Sequence, residues 1–216
     1  MYLNFLICDS IQSMTIETIN TIFSLTVLFF SISFHEIAHG SVAYYLGDPT
    51  AKNAGRLTIN PLVHIDLFGS IILPFSLFIM GLPVFGWAKP VPINPHNFKD
   101  QKWGNLKVAA AGPLSNLLIG LFFSLVVRFF SLPETLFNFF TIIAVYNFAL
   151  AIFNLIPIPP LDGNHVLFAL LPARFFKFKV MLKQYSSIIF LFFIMFSGFS
   201  FVFHGAGILY VVIAGL

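Results

Sequence analysis

Three ionisable side chains, His35, Glu36 and His39, lie close together in one apolar stretch. They form the pattern H-E-x-x-H, in which histidines four residues apart share one face of a helix and can bind one metal ion. Glu36 then lies beside them as a general base that takes a proton from the attacking water. Ionisable groups in an apolar helix cost free energy and usually mark function. The pattern therefore predicts a hydrolytic zinc site.

Zinc in a hydrolytic site usually has three protein ligands, so the two imidazoles require a partner from elsewhere in the chain. Four acidic residues are poorly placed: Asp9 and Glu17 precede the helix, Asp100 lies in a lysine-rich loop, and Glu134 lies toward the opposite membrane face. Asp162 instead follows the apolar run 135–161, which is expected to end on the same side as the histidines. It is the predicted third ligand. A turn that merely leaves the membrane is the alternative.

The composition shows what kind of protein must carry these residues. Of the 216 residues, 58% are hydrophobic and only 9% charged, and the mean hydropathy is +0.94. Soluble domains carry about 25% charged residues, so this chain cannot build a solvated surface. The net charge of +3 is spread between apolar runs, which excludes a nucleic-acid-binding face, and the single Cys8 forms no disulfide within the chain. We expect one domain, 1–216, that is an all-α polytopic membrane protein.

Charge-free runs locate the candidate helices. A span needs roughly 17 to 25 residues, and five runs approach or exceed this length: 18–34, 67–88, 108–127, 135–161 and 184–216. Basic residues flank both ends of 67–88, which also contains Pro74, Gly81 and Pro83, so we expect this run to re-enter rather than cross. An ordinary span is the alternative. The prediction is about four transmembrane helices plus a re-entrant or broken segment near 67–88.

The distribution of basic residues predicts the orientation. Ten of the eleven Lys and Arg residues lie in three connecting regions, 52–56, 89–107 and 174–183, and the first seventeen residues contain none. Cytoplasmic loops carry such an excess. We therefore expect an integral protein of the plasma membrane with its N-terminus outside and its active site toward the cytoplasmic side.

A second motif makes the pattern specific to one family. Asn154, Pro157, Pro159, Asp162 and Gly163 fit N-x-x-P-x-P-x-x-D-G. Together with H-E-x-x-H, this motif makes the sequence resemble the site-2 proteases, a family of intramembrane zinc metalloproteases. The stretch 111–116 also resembles the G-P-x-x-N helix of that family. The resemblance covers roughly residues 19–171, and its order and spacing fit the small group without a PDZ domain.

The resemblance implies that His35, His39 and Asp162 bind zinc and that Glu36 activates the water. It also suggests that Asn154 lies near the developing oxyanion, although this asparagine could equally brace a broken helix end. The implied activity is hydrolysis of peptide bonds in transmembrane or membrane-proximal segments of membrane protein substrates. The alternative is a catalytically inactive scaffold or a protein that binds or transports metal, although a transporter has no need of Glu36 beside the first ligand.

Three more polar residues have less specific expectations. Asn116 is expected to form hydrogen bonds between packed helices. His64 is expected to make a structural hydrogen bond, with an auxiliary ligand or substrate contact as the alternative. His165 follows Asp162 by three residues and is expected near the metal ligands.

Overall fold

The computed structural model describes residues 2–82, 86–196 and 198–216. Within these residues the chain is helical and contains no strand, which confirms the predicted all-α class. The α-helices are α1 (Tyr2–Tyr45), α2 (Thr50–Asn53), α3 (Leu73–Ile79), α4 (Gly104–Phe129), α5 (Glu134–Leu155), α6 (Asp162–Leu170), α7 (Phe176–Gln184), α8 (Ser186–Met195) and α9 (Gly198–Ala214). Shorter helical turns cover Pro61–His64, Leu67–Ile72, Pro95–Asn97 and Ala173–Phe175.

Three of the described helices are long and apolar enough to cross a membrane. They are α4, α5 and the Glu17–Tyr45 part of α1. Helices α7 and α8 pass the same test as a pair, but they are bent by 61° at their junction, and α9 is a shorter apolar helix. Three or four crossing elements agree with the prediction of about four.

Two of the charge-free runs are interrupted in the structure, the first at prolines that forbid a regular helix. The run 135–161 does not stay helical to its end: α5 stops at Leu155, and Asp162 begins the separate helix α6. Prolines in this connection lack the N–H that a helix needs, so the helix cannot continue through them. The run 184–216 is likewise divided between α8 and α9, with Ser197 outside the described residues.

The segment 67–88 returns to the place where it starts. The Trp87 N–H donates to the Gly69 carbonyl at 3.1 Å, and the Lys89 N–H donates to the His64 carbonyl at 2.8 Å. A crossing segment would separate its two ends by about 30 Å. The two joined ends therefore match a re-entrant segment. Pro83, one of the residues that suggested this path, lies outside the described residues.

Helix α4 is at the centre of the fold and packs against α1, α5, α6 and α9. Gly120 permits one of these contacts, because a Cβ at this position would lie 2.7 Å from the ring of Phe148 on α5. On the outer side of α4, Leu118 and Phe122 are 65% and 61% exposed, as expected for residues that face lipid. The close packing around α4 holds α1 and α6, which carry the predicted metal ligands.

Asp48 ties the loop after α1 to residues 94–97. Its carboxylate accepts the Asn94 N–H at 2.7 Å and the Asn97 side-chain amide at 2.8 Å, and it also accepts the Thr50 hydroxyl. Burial alone would raise the pKa of Asp48, but these hydrogen bonds outweigh it and hold the pKa below the usual range of an aspartate. The charged form is therefore the one that stabilises the fold.

We expect Asp48→Asn to lower the free energy of unfolding by about 1–3 kcal/mol at pH 7, because an amide cannot accept all of these hydrogen bonds. The stabilisation by Asp48 is complete above about pH 4, the usual aspartate range, and is lost as the pH falls through the lowered pKa of the folded protein. Thermal unfolding of both proteins from pH 7 to pH 3 should show the difference narrowing in acid. Glu134→Gln, which neutralises an exposed carboxylate at the start of α5, is the control. A difference that widens in acid would contradict this account.

Candidate metal centre

The three predicted ligands converge at one point between α1 and α6. His35 Nε2 lies 3.0 Å and His39 Nε2 lies 3.2 Å from Asp162 Oδ2, and the two Nε2 atoms are 3.0 Å apart. Within the described part of the chain, these three residues are the group of His, Cys, Asp or Glu side chains whose ligand atoms lie close enough together to hold one metal ion. Both histidines are buried at 6% exposure. Side chains separated by more than 120 residues of sequence therefore face one another across a single small volume.

Hydrogen bonds on the far side of each imidazole set its tautomer. His39 Nδ1 lies 2.6 Å from the Val108 carbonyl, and His35 Nδ1 lies 2.7 Å from the side-chain oxygen of Asn116. Both oxygens only accept, so each Nδ1 carries the proton and donates it. Each Nε2 is then left with a lone pair that points at the other ligands. Lone pairs facing one another and a carboxylate need a cation between them.

These separations fit zinc. Bond lengths of about 2.0 Å in a tetrahedral site place neighbouring ligand atoms about 3.3 Å apart, close to the separations that the three side chains show. Two neutral imidazoles and one carboxylate are also the ligand set of several catalytic zinc sites, in which the fourth position takes water or substrate. The donor set and its spacing therefore match a catalytic rather than a closed structural site.

Two glycines make room for this convergence. A Cβ at Gly112 on α4 would overlap both imidazole rings, with 2.6 Å to His35 Nε2. A Cβ at Gly163 would overlap the backbone of Leu155 at the end of α5, so glycine lets α6 start against that end. Gly112 therefore lets α4 pack against the two imidazole rings, and Gly163 lets α6, which begins with Asp162, pack against the end of α5.

Gly112→Ala tests whether this space is needed. We expect the variant to stay folded and to lose most of its bound zinc, because the added methyl group occupies the volume of the rings. Zinc per chain after purification, measured by atomic emission, is the readout. Gly207→Ala on α9 is the matched control, since a Cβ there meets nothing within 4 Å. Full zinc content in both variants would show that the rings do not need this space.

A buried polar network behind His35 joins three helices. The Asn116 side chain on α4 donates to Asn147 Oδ1 at 2.9 Å and to the Ser31 carbonyl at 3.2 Å, and Asn147 on α5 donates to Ser31 Oγ at 2.9 Å. Both asparagines are 0% exposed. Asn116 is a helix-packing residue as expected, and it also orients the His35 ring. Asn147 and Ser31 were not predicted from the sequence, although polar side chains in an apolar run were a usable signal.

Glu36 lies beside the ligands and lines a cavity of about 250 Å³. His39, Asp162 and His165 line the same cavity, so His165 lies near the ligands as expected. The remaining wall includes residues of a proline-rich segment, 89–95, which we call the strap. The strap holds one carboxylate oxygen of Glu36, which accepts the Val91 N–H at 2.8 Å. Glu36, the imidazoles of His39 and His165, and the carboxylate of Asp162 thus share one cavity.

Two other predicted residues lie apart from the cluster. The Asn154 amide donates to the Leu150 carbonyl of its own helix at 3.0 Å, a contact that matches the bracing alternative. Asn154 is not among the residues that line the cavity. His64 is buried, and its Nε2 lies 3.1 Å from the Thr58 carbonyl, which matches the structural alternative.

Comparison with known proteins relates this site to a family. Residues 131–197 match Peptidase family M50. YwhC of Bacillus subtilis, which is named as a zinc metalloprotease, is 38% identical over 76% of this chain and 76% of its own length. MJ0392 and MJ0611 of Methanocaldococcus jannaschii, also named as zinc metalloproteases, are 28% and 32% identical over 69% and 68% of this chain, and over 34% and 69% of their own lengths. No solved structure gives a significant match.

The family match covers the second motif, and the alignments with YwhC and MJ0611 extend over more than two thirds of each relative. The convergence of two histidines and an aspartate beside Glu36 supplies the corresponding chemistry. The chain therefore belongs to peptidase family M50, the site-2 proteases, and is a membrane zinc metalloprotease.

Proposed function

We propose that the protein is an intramembrane endopeptidase that hydrolyses peptide bonds in transmembrane or membrane-proximal segments of other membrane proteins. The observation that supports this function is the cavity that Glu36 shares with two of the three converging ligands, His39 and Asp162. His35, His39 and Asp162 hold the zinc ion, and Glu36 is the general base.

The chemistry divides between the ion and the chain. When bound, zinc polarises the scissile carbonyl and makes water more acidic. Glu36 takes a proton from the attacking water as the C–O bond forms, and it delivers that proton to the amide nitrogen as the C–N bond breaks. One Glu36 oxygen accepts the Val91 N–H, so the other is available to the water. No step is assigned to Asn154, whose amide donates within its own helix.

The position of the site supports a membrane protein as the substrate and a cytoplasmic active site. The C-terminal parts of α1 and α5 and the N-terminal part of α4 meet there. The basic regions 52–56 and 89–107 lie in the connection between α1 and α4 and in the first turn of α4. Such basic connections lie on the cytoplasmic side of the plasma membrane. A substrate helix must unwind locally before its carbonyl reaches the site, because its backbone is already hydrogen-bonded.

A reconstituted assay tests the function. The purified chain is placed in phospholipid vesicles with either of two single-span reporter proteins, one with a central Asn-Pro pair in its transmembrane segment and one with an unbroken leucine helix. We expect cleavage of the Asn-Pro reporter at least about tenfold faster, because proline removes a helix hydrogen bond. Chelation should stop the cleavage, and added zinc should restore it. Cleavage of soluble peptides alone would contradict an intramembrane function.

The inactive-scaffold alternative makes the opposite prediction. A scaffold would bind the reporters without any turnover, while zinc remained bound. The placement of Glu36 in the cavity, beside the ligands, favours the protease because a metal-binding or transport protein needs no base there.

A further inference from the structure

We propose that Arg56 is a positioning residue for Glu36 and that it acts through the backbone of the strap. This inference rests on the proposed function, which makes Glu36 the general base. Arg56 contacts neither the ligands nor Glu36. Its guanidinium donates instead to two successive strap carbonyls, those of Lys89 at 2.7 Å and Pro90 at 3.3 Å.

The surroundings of Arg56 are unusual for an arginine. The residue is only 9% exposed, its Nε has no hydrogen-bond partner, and no carboxylate of the described chain lies within ion-pair distance. Arginine is seldom buried without an acidic partner, because the loss of hydration is costly. The two side-chain hydrogen bonds of Arg56 therefore both go to the strap backbone, and we infer that they fix the orientation of those carbonyls.

One peptide unit links Arg56 to Glu36. The Pro90 carbonyl and the Val91 N–H belong to the same planar group, which is trans, so they point in opposite directions. Arg56 holds the carbonyl side, and Glu36 Oε2 accepts the N–H side at 2.8 Å. Any rotation of this plane that moves the carbonyl away from Arg56 also moves the N–H away from Glu36.

Few other hydrogen bonds of the strap backbone can fix the orientation of the Pro90–Val91 peptide plane. Pro90 and Pro92 have no N–H, so Val91 is the donor between them. Lys89 N–H is held by the His64 carbonyl on one side, and Asn94 N–H is held by Asp48 on the other. Between these two anchors, Arg56 and Glu36 supply the hydrogen bonds of the described strap backbone.

Hydrogen exchange of the Val91 amide tests this link without any substrate. In zinc-loaded full-length protein with ¹⁵N-labelled valine and asparagine, we expect Arg56→Ala to speed exchange at Val91 by about tenfold or more, because the plane loses its anchor. Exchange at the Asn94 amide should be unchanged, since Asp48 holds it. Arg128→Ala is the matched control, because Arg128 also donates to a backbone carbonyl, that of Ile213, on the far side of the fold.

A kinetic cycle with the Asn-Pro reporter tests the consequence. We expect Arg56→Ala to lower kcat by about 10–100-fold with little change in KM or zinc content, because a base displaced by about 1 Å loses activity on this scale. Arg56→Lys should recover part of the loss, since an ammonium cannot bridge two carbonyls as a guanidinium does. In a Glu36→Asp background, whose shorter carboxylate no longer reaches Val91, Arg56→Ala should have little further effect.

The outcomes separate this inference from the proposed function. Unchanged exchange at Val91 in Arg56→Ala, or a rise at Val91 and Asn94 together, would overturn the role of Arg56 whatever the enzyme cleaves. Additive losses in the Glu36→Asp background would also overturn it. Failure of the zinc-loaded, unmodified protein to cleave the Asn-Pro reporter would instead remove the proposed function, while a local rise in exchange at Val91 in Arg56→Ala would still support the link between Arg56 and the strap.

Discussion

Glu36→Gln is expected to lower kcat by about 10²–10⁴-fold, because an amide of the same shape cannot accept the proton of the attacking water. Glu36 shares the cavity with His39 and Asp162 but is not one of the converging ligands. Zinc should therefore remain near one ion per chain. Initial rates with the Asn-Pro reporter, measured on protein of known zinc content, check both parts of the expectation.

The control for this variant is Glu134→Gln, which makes the same chemical change at an exposed glutamate that begins α5. Its kcat and zinc content should equal those of the unmodified protein. If Glu36→Gln cleaved the reporter at the normal rate, another group would have to be the base. If it lost zinc as well as activity, the division between base and ligands would be wrong.

Asp162→Ala is expected to weaken zinc binding by more than about 100-fold, since loss of even an outer partner of a ligand costs about 10–100-fold. The carboxylate contacts both Nε2 atoms, so its removal leaves two imidazoles and a wet cavity in its place. Zinc per chain and competition with a chromophoric chelator measure the loss. His35→Ala and His39→Ala should show the same result.

Asp100→Ala is the control, because it removes an aspartate that pairs with Lys107 outside the cluster. Unchanged zinc binding in Asp162→Ala would mean that the third ligand lies elsewhere. Retained folding must be shown alongside, and the apparent unfolding temperature without zinc should be similar in all of these variants.

The two sequence motifs by themselves identify most of the metal centre, because each motif states a local requirement. H-E-x-x-H on one helix face brings two imidazoles together whatever the rest of the fold does. The membrane-crossing helices could also be predicted from the sequence, because an uncharged apolar run that is long enough to span the hydrocarbon core is typical of a transmembrane helix. The ends of the helices were harder to predict. The run 135–161 stays apolar past Leu155, where α5 ends, and only the prolines indicated that the helix stops there.

Several partners of the site could not be predicted, because each depends on which helices pack together. Asn147 and Ser31 were polar residues in apolar runs, but their contact with Asn116 arises only where α1, α4 and α5 meet. The contact of Arg56 with the strap was even harder to predict, because an arginine in a polar connection is ordinarily exposed to water. Its burial against the strap depends on a path that brings residues 89–90 back to the start of the re-entrant segment.

The sequence alone determined the features that depend on neighbours in the chain. These are the types of the predicted ligands, the predicted base beside them and the apolar helices that cross the membrane. Long-range packing decided the rest, namely the tautomers of His35 and His39, the room left by Gly112 and the peptide plane that holds Glu36. The physical reason is that a hydrogen bond or a close contact depends on distances of a few tenths of an ångström between distant segments, and local patterns do not encode those distances.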